Sequence, residues 1–207
     1  AYSASEDGSV RLWRAGDGAT AGVLRHPAGV LFAAMDPAGA TLLTLCRDGE
    51  LREWDLRSLA VRRTVQRFEQ PVLAVARSAD LRTLSVLDER MVAWVVDRDA
   101  DRPARRIALA TGAPPASYYN VEQWYRPSVE LSRDGTRLLT RNRAGHAALW
   151  DATSGERIQE YAAAGRFCGP VVLSPDARRV FLLRRDPPGD VVVGEIADAA
   201  SGERLCE

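Results

Sequence analysis

The chain has 207 residues, 46% of them hydrophobic and 27% charged, enough to bury the core of one all-β domain or of two small ones. Its 28 basic residues are all arginine and are matched by 28 acids, so no net charge draws it to nucleic acid or to an anionic membrane. No apolar run approaches the roughly 18 residues that a membrane helix needs, and the opening AYSASEDGSV carries an acidic pair where a signal peptide would carry positive charge.

The arginines are spread along the whole chain, which reads as coding bias rather than as a binding face. The cysteines, Cys46, Cys168 and Cys206, are odd in number and lack CxxC spacing. That argues against a disulfide framework or a zinc site and makes a reducing cytoplasm the expected setting. Neither a cofactor nor a metal is expected.

In chain order, the residues repeat one unit. EDGSVRLW (Glu6 to Trp13) returns as CRDGELREWDL (Cys46 to Leu56), DERMVAW (Asp88 to Trp94) and RAGHAALWD (Arg143 to Asp151). In each, the tryptophan stands five residues past the second turn residue, counting Asp88-Glu89 as the turn of the third. A fifth, degenerate unit puts Ala197 at the tryptophan position, because DATSGER at Asp151 recurs as DAASGER at Asp198. The steps are 41, 40, 56 and 47 residues, and the first two fit the roughly 40 to 45 residues of a four-stranded propeller blade.

The second unit shows the pattern most fully. Val30 to Met35 is a nearly continuous apolar run suited to an inner strand, DPAG turns the chain, and Leu42 to Cys46 follows. Asp48-Gly49 makes a hairpin turn into the alternating Leu51 to Leu56, and the charged Ala60 to Phe68 suits an outer strand facing water. The expected fold is all-β: a propeller of four-stranded antiparallel blades in units 1–26, 27–69, 70–126, 127–165 and 166–207, the first and last incomplete. An opening in a second strand and an ending in an outer strand predict a segment of a larger protein.

These residues resemble the WD40 repeat family, through the Asp-Gly turn, the tryptophan five residues on, the S-x-D-G or P-x-G turn after the inner strand, and the Ser-Gly-Glu turn after the tryptophan strand. The resemblance implies a structural tetrad, which the second unit matches in full with His26, Thr44, Asp48 and Trp54. It also implies a non-catalytic protein-interaction scaffold, with loops presented to a partner or to other domains of the same polypeptide. In bacterial relatives such domains are often kinases or NTPase switches. A small-ligand or glycan sensor at the channel mouth is the alternative, with a propeller hydrolase behind it.

The candidate partner site is the longest insertion, Thr111 to Arg126, with Tyr118, Tyr119, Trp124, Tyr125 and Arg126, residue types enriched in binding hot spots. Packing of these aromatics over the blades is the competing reading. His26 as a metal ligand gives way to the tetrad role, since the only other histidine, His146, opens a strand two units away. Asp97 to Asp101 starts like a calcium loop, but Arg102 stands where that loop needs glycine and Ala108 where it needs glutamate. No GxSxG elbow is present, and without lysine there is no P-loop.

Overall fold

The structure, a computed structural model, describes residues 1–100, 102–109, 126–161, 166–186 and 191–206. Every regular element among these is a β-strand, and none of the described residues forms a helix long and apolar enough to cross a membrane. The chain divides into two compact units, Ala1–Val72 and Leu73–Glu207.

The first unit holds two antiparallel sheets. β1 (Tyr2–Ala4), β2 (Ser9–Trp13) and β3 (Thr20–Arg25) lie in the order β1-β2-β3, and β4 (Val30–Met35), β5 (Thr41–Cys46), β6 (Glu50–Asp55) and β7 (Ala60–Arg67) in the order β4-β5-β6-β7. The central β5 is buried on both faces, while β7 is the charged, exposed edge. Leu42, Cys46 and Trp54 share one face of the second sheet and pack against Val10 and Leu24 of the first. Each fully buried aliphatic there contributes about 1.5–3 kcal/mol, so this layer is the main tie between the two sheets.

The second unit holds three four-stranded meanders. They are β8 (Val72–Arg77), β9 (Thr83–Asp88), β10 (Val92–Asp97) and β11 (Arg105–Ala108); β12 (Ser128–Leu131), β13 (Arg137–Arg141), β14 (Ala147–Asp151) and β15 (Arg157–Tyr161); and β16 (Arg166–Leu173), β17 (Arg179–Asp186), β18 (Val191–Asp198) and β19 (Arg204–Cys206). Ala93 and Val95 of the third sheet pack on Val129, Leu138 and Ala152. The opposite face of the fourth sheet, with Leu139 and Leu149, packs on Val180, Leu182 and Ala197 of the fifth. Tyr161, buried in that layer, donates its hydroxyl to Ala199 O at 2.6 Å.

The corners after β8, β12 and β16 are built alike. Ser78, Ser132 and Ser174 each donate a hydroxyl to the aspartate two residues on (Asp80, Asp134 and Asp176) at 2.6 Å. The same hydroxyl oxygens accept the backbone N–H groups of Thr83, Arg137 and Arg179, which open the following strands. In the second sheet Asp36 replaces the serine and its carboxylate accepts from Thr41 N at 2.9 Å.

The third sheet corrects the tryptophan spacing expected from sequence. In the β1–β2, β5–β6 and β13–β14 hairpins the left-handed residue is a glycine, Gly8, Gly49 or Gly145, and the tryptophan follows five residues later. In the β9–β10 hairpin the left-handed residue is Met91 (φ 60°), not Glu89, and its N–H closes on Asp88 O at 3.0 Å as Gly49 N–H closes on Cys46 O. Trp94 is therefore two residues nearer its turn, paired with Val86, whereas Trp54 pairs with Leu42. Val96 takes the place of Trp54 and Val86 that of Thr44. Asp97 then matches Asp55, Asp151 and Asp198, the turn aspartates that end the corresponding strands. Its carboxylate accepts from Asp99 N and pairs with Arg102, which is the use made of the calcium-like stretch.

Candidate interaction site

The most elaborate side-chain arrangement lies at the hairpin-turn end of the second sheet. Gly49 permits it: its φ is 79°, and a Cβ there would stand 2.1 Å from the Phe68 carbonyl oxygen. With no side chain at this point, Phe68 N donates to Gly49 O at 2.8 Å and the end of β7 closes over the turn. Residues 69–72 then leave along a cleft of about 330 Å³, lined by Leu31, Phe68 and Pro71 on the apolar side and by Arg47, Asp48 and Glu69 on the polar side. Leu31 is 37% exposed, a large aliphatic held at the cleft mouth.

Alternation along β6 puts Asp48, Glu50 and Arg52 on one side of the hairpin. The Arg52 guanidinium forks Asp48 at 3.2 and 2.6 Å and reaches Glu50 at 2.7 Å, while Arg67 holds the other oxygen of Glu50. Burial works to raise the Asp48 carboxyl, but the Arg52 bonds and the Glu50 N–H outweigh it, and the group is held below the ordinary carboxylate value. The cleft wall is thus a fixed ion-pair network.

Behind it, Trp54 Nε1 donates to Thr44 Oγ1 at 2.9 Å, and Thr44 lies 3.0 Å from His26 Nε2. His26 Nδ1 lies 3.2 Å from Gly8 O. A carbonyl only accepts, so Nδ1 carries the proton and Nε2 accepts from the threonine hydroxyl. Burial pushes the His26 pKa down and favours this neutral ring, which also contacts Trp54 at 4.7 Å between centroids.

Of the four residues matched to the tetrad, three join in one hydrogen-bonded chain. Asp48 does not take the His26 ring; the charged fork of Arg52 holds it, and Gly8 O serves the histidine instead. Trp13 and Trp150 repeat the indole-to-hydroxyl bond, to Ser3 at 3.0 Å and to Thr140 at 2.8 Å. In the third sheet, where Val86 offers no hydroxyl, Trp94 donates to Asp88 Oδ2 and Arg106 lies 5.0 Å above its ring.

Tyr118, Tyr119, Trp124 and Tyr125 lie outside the described residues, and Arg126 is exposed. The described chain leaves β11 with Leu109 N bonded to Met91 O, at the hairpin-turn end of the third sheet. Leu31, Phe68 and Pro71 are site residues that reading the sequence missed. Cys46, which also borders the cleft, has its thiol pushed up to about 11 by burial and then by Asp48, so it stays protonated at neutral pH and is a poor nucleophile. Among the described residues no group of three or more His, Cys, Asp or Glu is placed to hold a metal ion.

No protein-family model and no curated protein matches the sequence. Among solved structures, the chain is similar to the β-propeller domain of Cps50 (Swd1) from Myceliophteria thermophila, with a TM-score of 0.68 and 17% identity over 98% of this chain and 67% of that one. The chain has a β-propeller fold. Its five antiparallel sheets, all meanders joined in sequence, are the blades, with three strands in the first and four in each of the others.

Proposed function

We propose that the chain is a non-catalytic platform for protein–protein interaction, a WD40-type propeller that presents its hairpin-turn ends to a partner or to other domains of its own polypeptide in a bacterial cytoplasm. The observation that carries this reading is the cleft of the second sheet, where Leu31 is held exposed above Phe68 and Pro71 beside a fixed network of Asp48, Glu50 and Arg52. An apolar anchor point rimmed by preorganised charge is what a peptide-sized partner surface needs. The hydroxyl-to-indole bonds of Trp13, Trp54 and Trp150 support the WD40-type assignment. A kinase or NTPase effector fused to the propeller fits the same reading, as does a contribution from Tyr118, Tyr119, Trp124, Tyr125 and Arg126.

The test is a photo-cross-linking residue placed at position 31 in the native host, with position 61 as control, since Val61 is also exposed, at 46%, but lies on the outer strand. One protein species trapped from position 31 and not from 61 is the expected result. Equal, diffuse labelling from both positions would refute the platform.

A further inference from the structure

The second unit contains a larger cleft, of about 560 Å³, with a different chemistry. It lies between the third and fourth sheets, at the end of β10 where Asp97 turns the chain toward β11. The buried side chains of Val95 and Ala152 line it, and Thr83, Thr153, Arg102 and Arg105 stand around them. None of these side chains belongs to the ion-pair network of the second sheet.

Arg105 is held in place here. Its Nη1 donates to Ser154 O at 2.8 Å, and its aliphatic stem crosses Gly155, where an added Cβ would meet Arg105 Cδ at 2.8 Å. Gly155 is left-handed (φ 80°), so a side chain at this position is disfavoured twice over. With Nη1 committed to a carbonyl, Nε and Nη2 remain as a side-on fork, the geometry that matches a carboxylate. Arg102 supplies a second guanidinium, shared with Asp97 at 3.2 Å, while Arg106 is turned to Trp94. The cleft therefore combines an apolar lining, one preset arginine fork and a second cation balanced by a single carboxylate.

We infer that this cleft binds a carboxylate on a short aliphatic stem, with the carboxylate taken side-on by Arg105 and the stem laid against Val95 and Ala152. A glutamate side chain of a protein segment and a free dicarboxylate share that chemistry. The site shares no residue with the partner cleft of the second sheet and does not rest on it.

The experiment is titration of the whole isotope-labelled chain with glutarate and, separately, with an acetyl-Val-Glu-Val-amide peptide and its glutamine counterpart, following the amides of Val95, Gly135 and Thr153. Either glutarate or the glutamate peptide should move these amides while the glutamine peptide does not. Glutarate alone identifies a small-molecule site, and the glutamate peptide alone identifies a protein segment. Arg105→Ala should weaken binding about tenfold, and Arg105→Lys, which keeps the charge but loses the fork, should weaken it nearly as much. Arg105 is exposed, so neither change should disturb the fold. No shift with either acid, or shifts that survive in Arg105→Ala, would overturn the inference.

Discussion

The indole N–H of Trp94 donates to the carboxylate of Asp88 at 2.8 Å, across a hairpin whose left-handed residue is methionine rather than glycine. Met91 is 3% exposed and belongs to the core between the third and fourth sheets. The left-handed conformation costs a non-glycine residue about 1–2 kcal/mol, whereas deleting a buried methionine side chain costs about 2–5 kcal/mol. Burial wins. Met91→Gly is predicted to destabilise the protein by about 2 kcal/mol in urea denaturation, although it restores the residue found at the matching turns, Gly8, Gly49 and Gly145. A stabilised variant would show that the turn, not the core, decides this position.

Thr44 joins Trp54 to His26, so Thr44→Val keeps the shape but strips a buried indole N–H of its acceptor and His26 Nε2 of its donor. That change is predicted to cost about 2–3 kcal/mol. Thr140→Val removes the partner of Trp150 alone, with a weaker 3.3 Å bond to Ala148 O, and should cost about half as much. Equal losses in the two variants, measured by the same denaturation, would contradict the linked chain.

Burial lowers the His26 pKa below its ordinary 6.5, so in the window beneath 6.5 the unfolded chain takes up a proton that the folded ring resists. Stability should therefore be complete above pH 6.5 and decline as pH falls through it, and His26→Gln should flatten that decline. The corner aspartates act elsewhere: serine hydroxyls hold Asp80, Asp134 and Asp176 below 3.8, so their contribution persists to lower pH and fades only beneath that value. A melting-temperature profile that is flat from pH 7.5 to 5.5 in the unmodified chain would rule out the His26 effect.

Gly49→Ala should be the most damaging of these changes. The new Cβ meets a backbone carbonyl that cannot swing away, and the left-handed conformation adds its own penalty. A loss of at least about 3 kcal/mol is predicted, read as early hydrogen exchange at Phe68 and across β5–β6. Gly39→Ala, with the same handedness but only Met35 Sδ 3.9 Å away, should cost about 1 kcal/mol, so the difference between the two isolates the clash.

The fold was legible because its signals are local. Asp-Gly turns, serine–aspartate corners and period-two alternation each complete themselves within a few residues, and all but one fell in register. The exception was the third sheet, where Asp88-Glu89 imitates the turn pair and Met91 carries a backbone conformation imposed by its buried side chain, a tertiary effect. Of the candidate site, His26, Thr44 and Trp54 were grouped only by the tetrad that the WD40 resemblance implies, not by any spacing rule. The capture of Asp48 by Arg52 was readable in principle from the alternation of 48, 50 and 52. Leu31 comes from β4, and Phe68 and Pro71 from the segment that follows β7, and no spacing rule joins the two.

The serine–aspartate corners bear on the order of folding. Each closes its serine–aspartate hydrogen bonds within six residues, Ser132 to Arg137 for example, and a backbone bond between two corners, from Ala79 N to Arg133 O at 2.8 Å, is additional to that local set. Closing so short a loop is fast compared with pairing distant strands. We therefore predict that the corners form first and act as seeds from which each meander zips outward, with sheet stacking last. Pulse-labelled exchange that protects the amide of Arg137 no earlier than that of Leu173, whose N–H waits for Glu130 of the adjacent sheet, would refute that order.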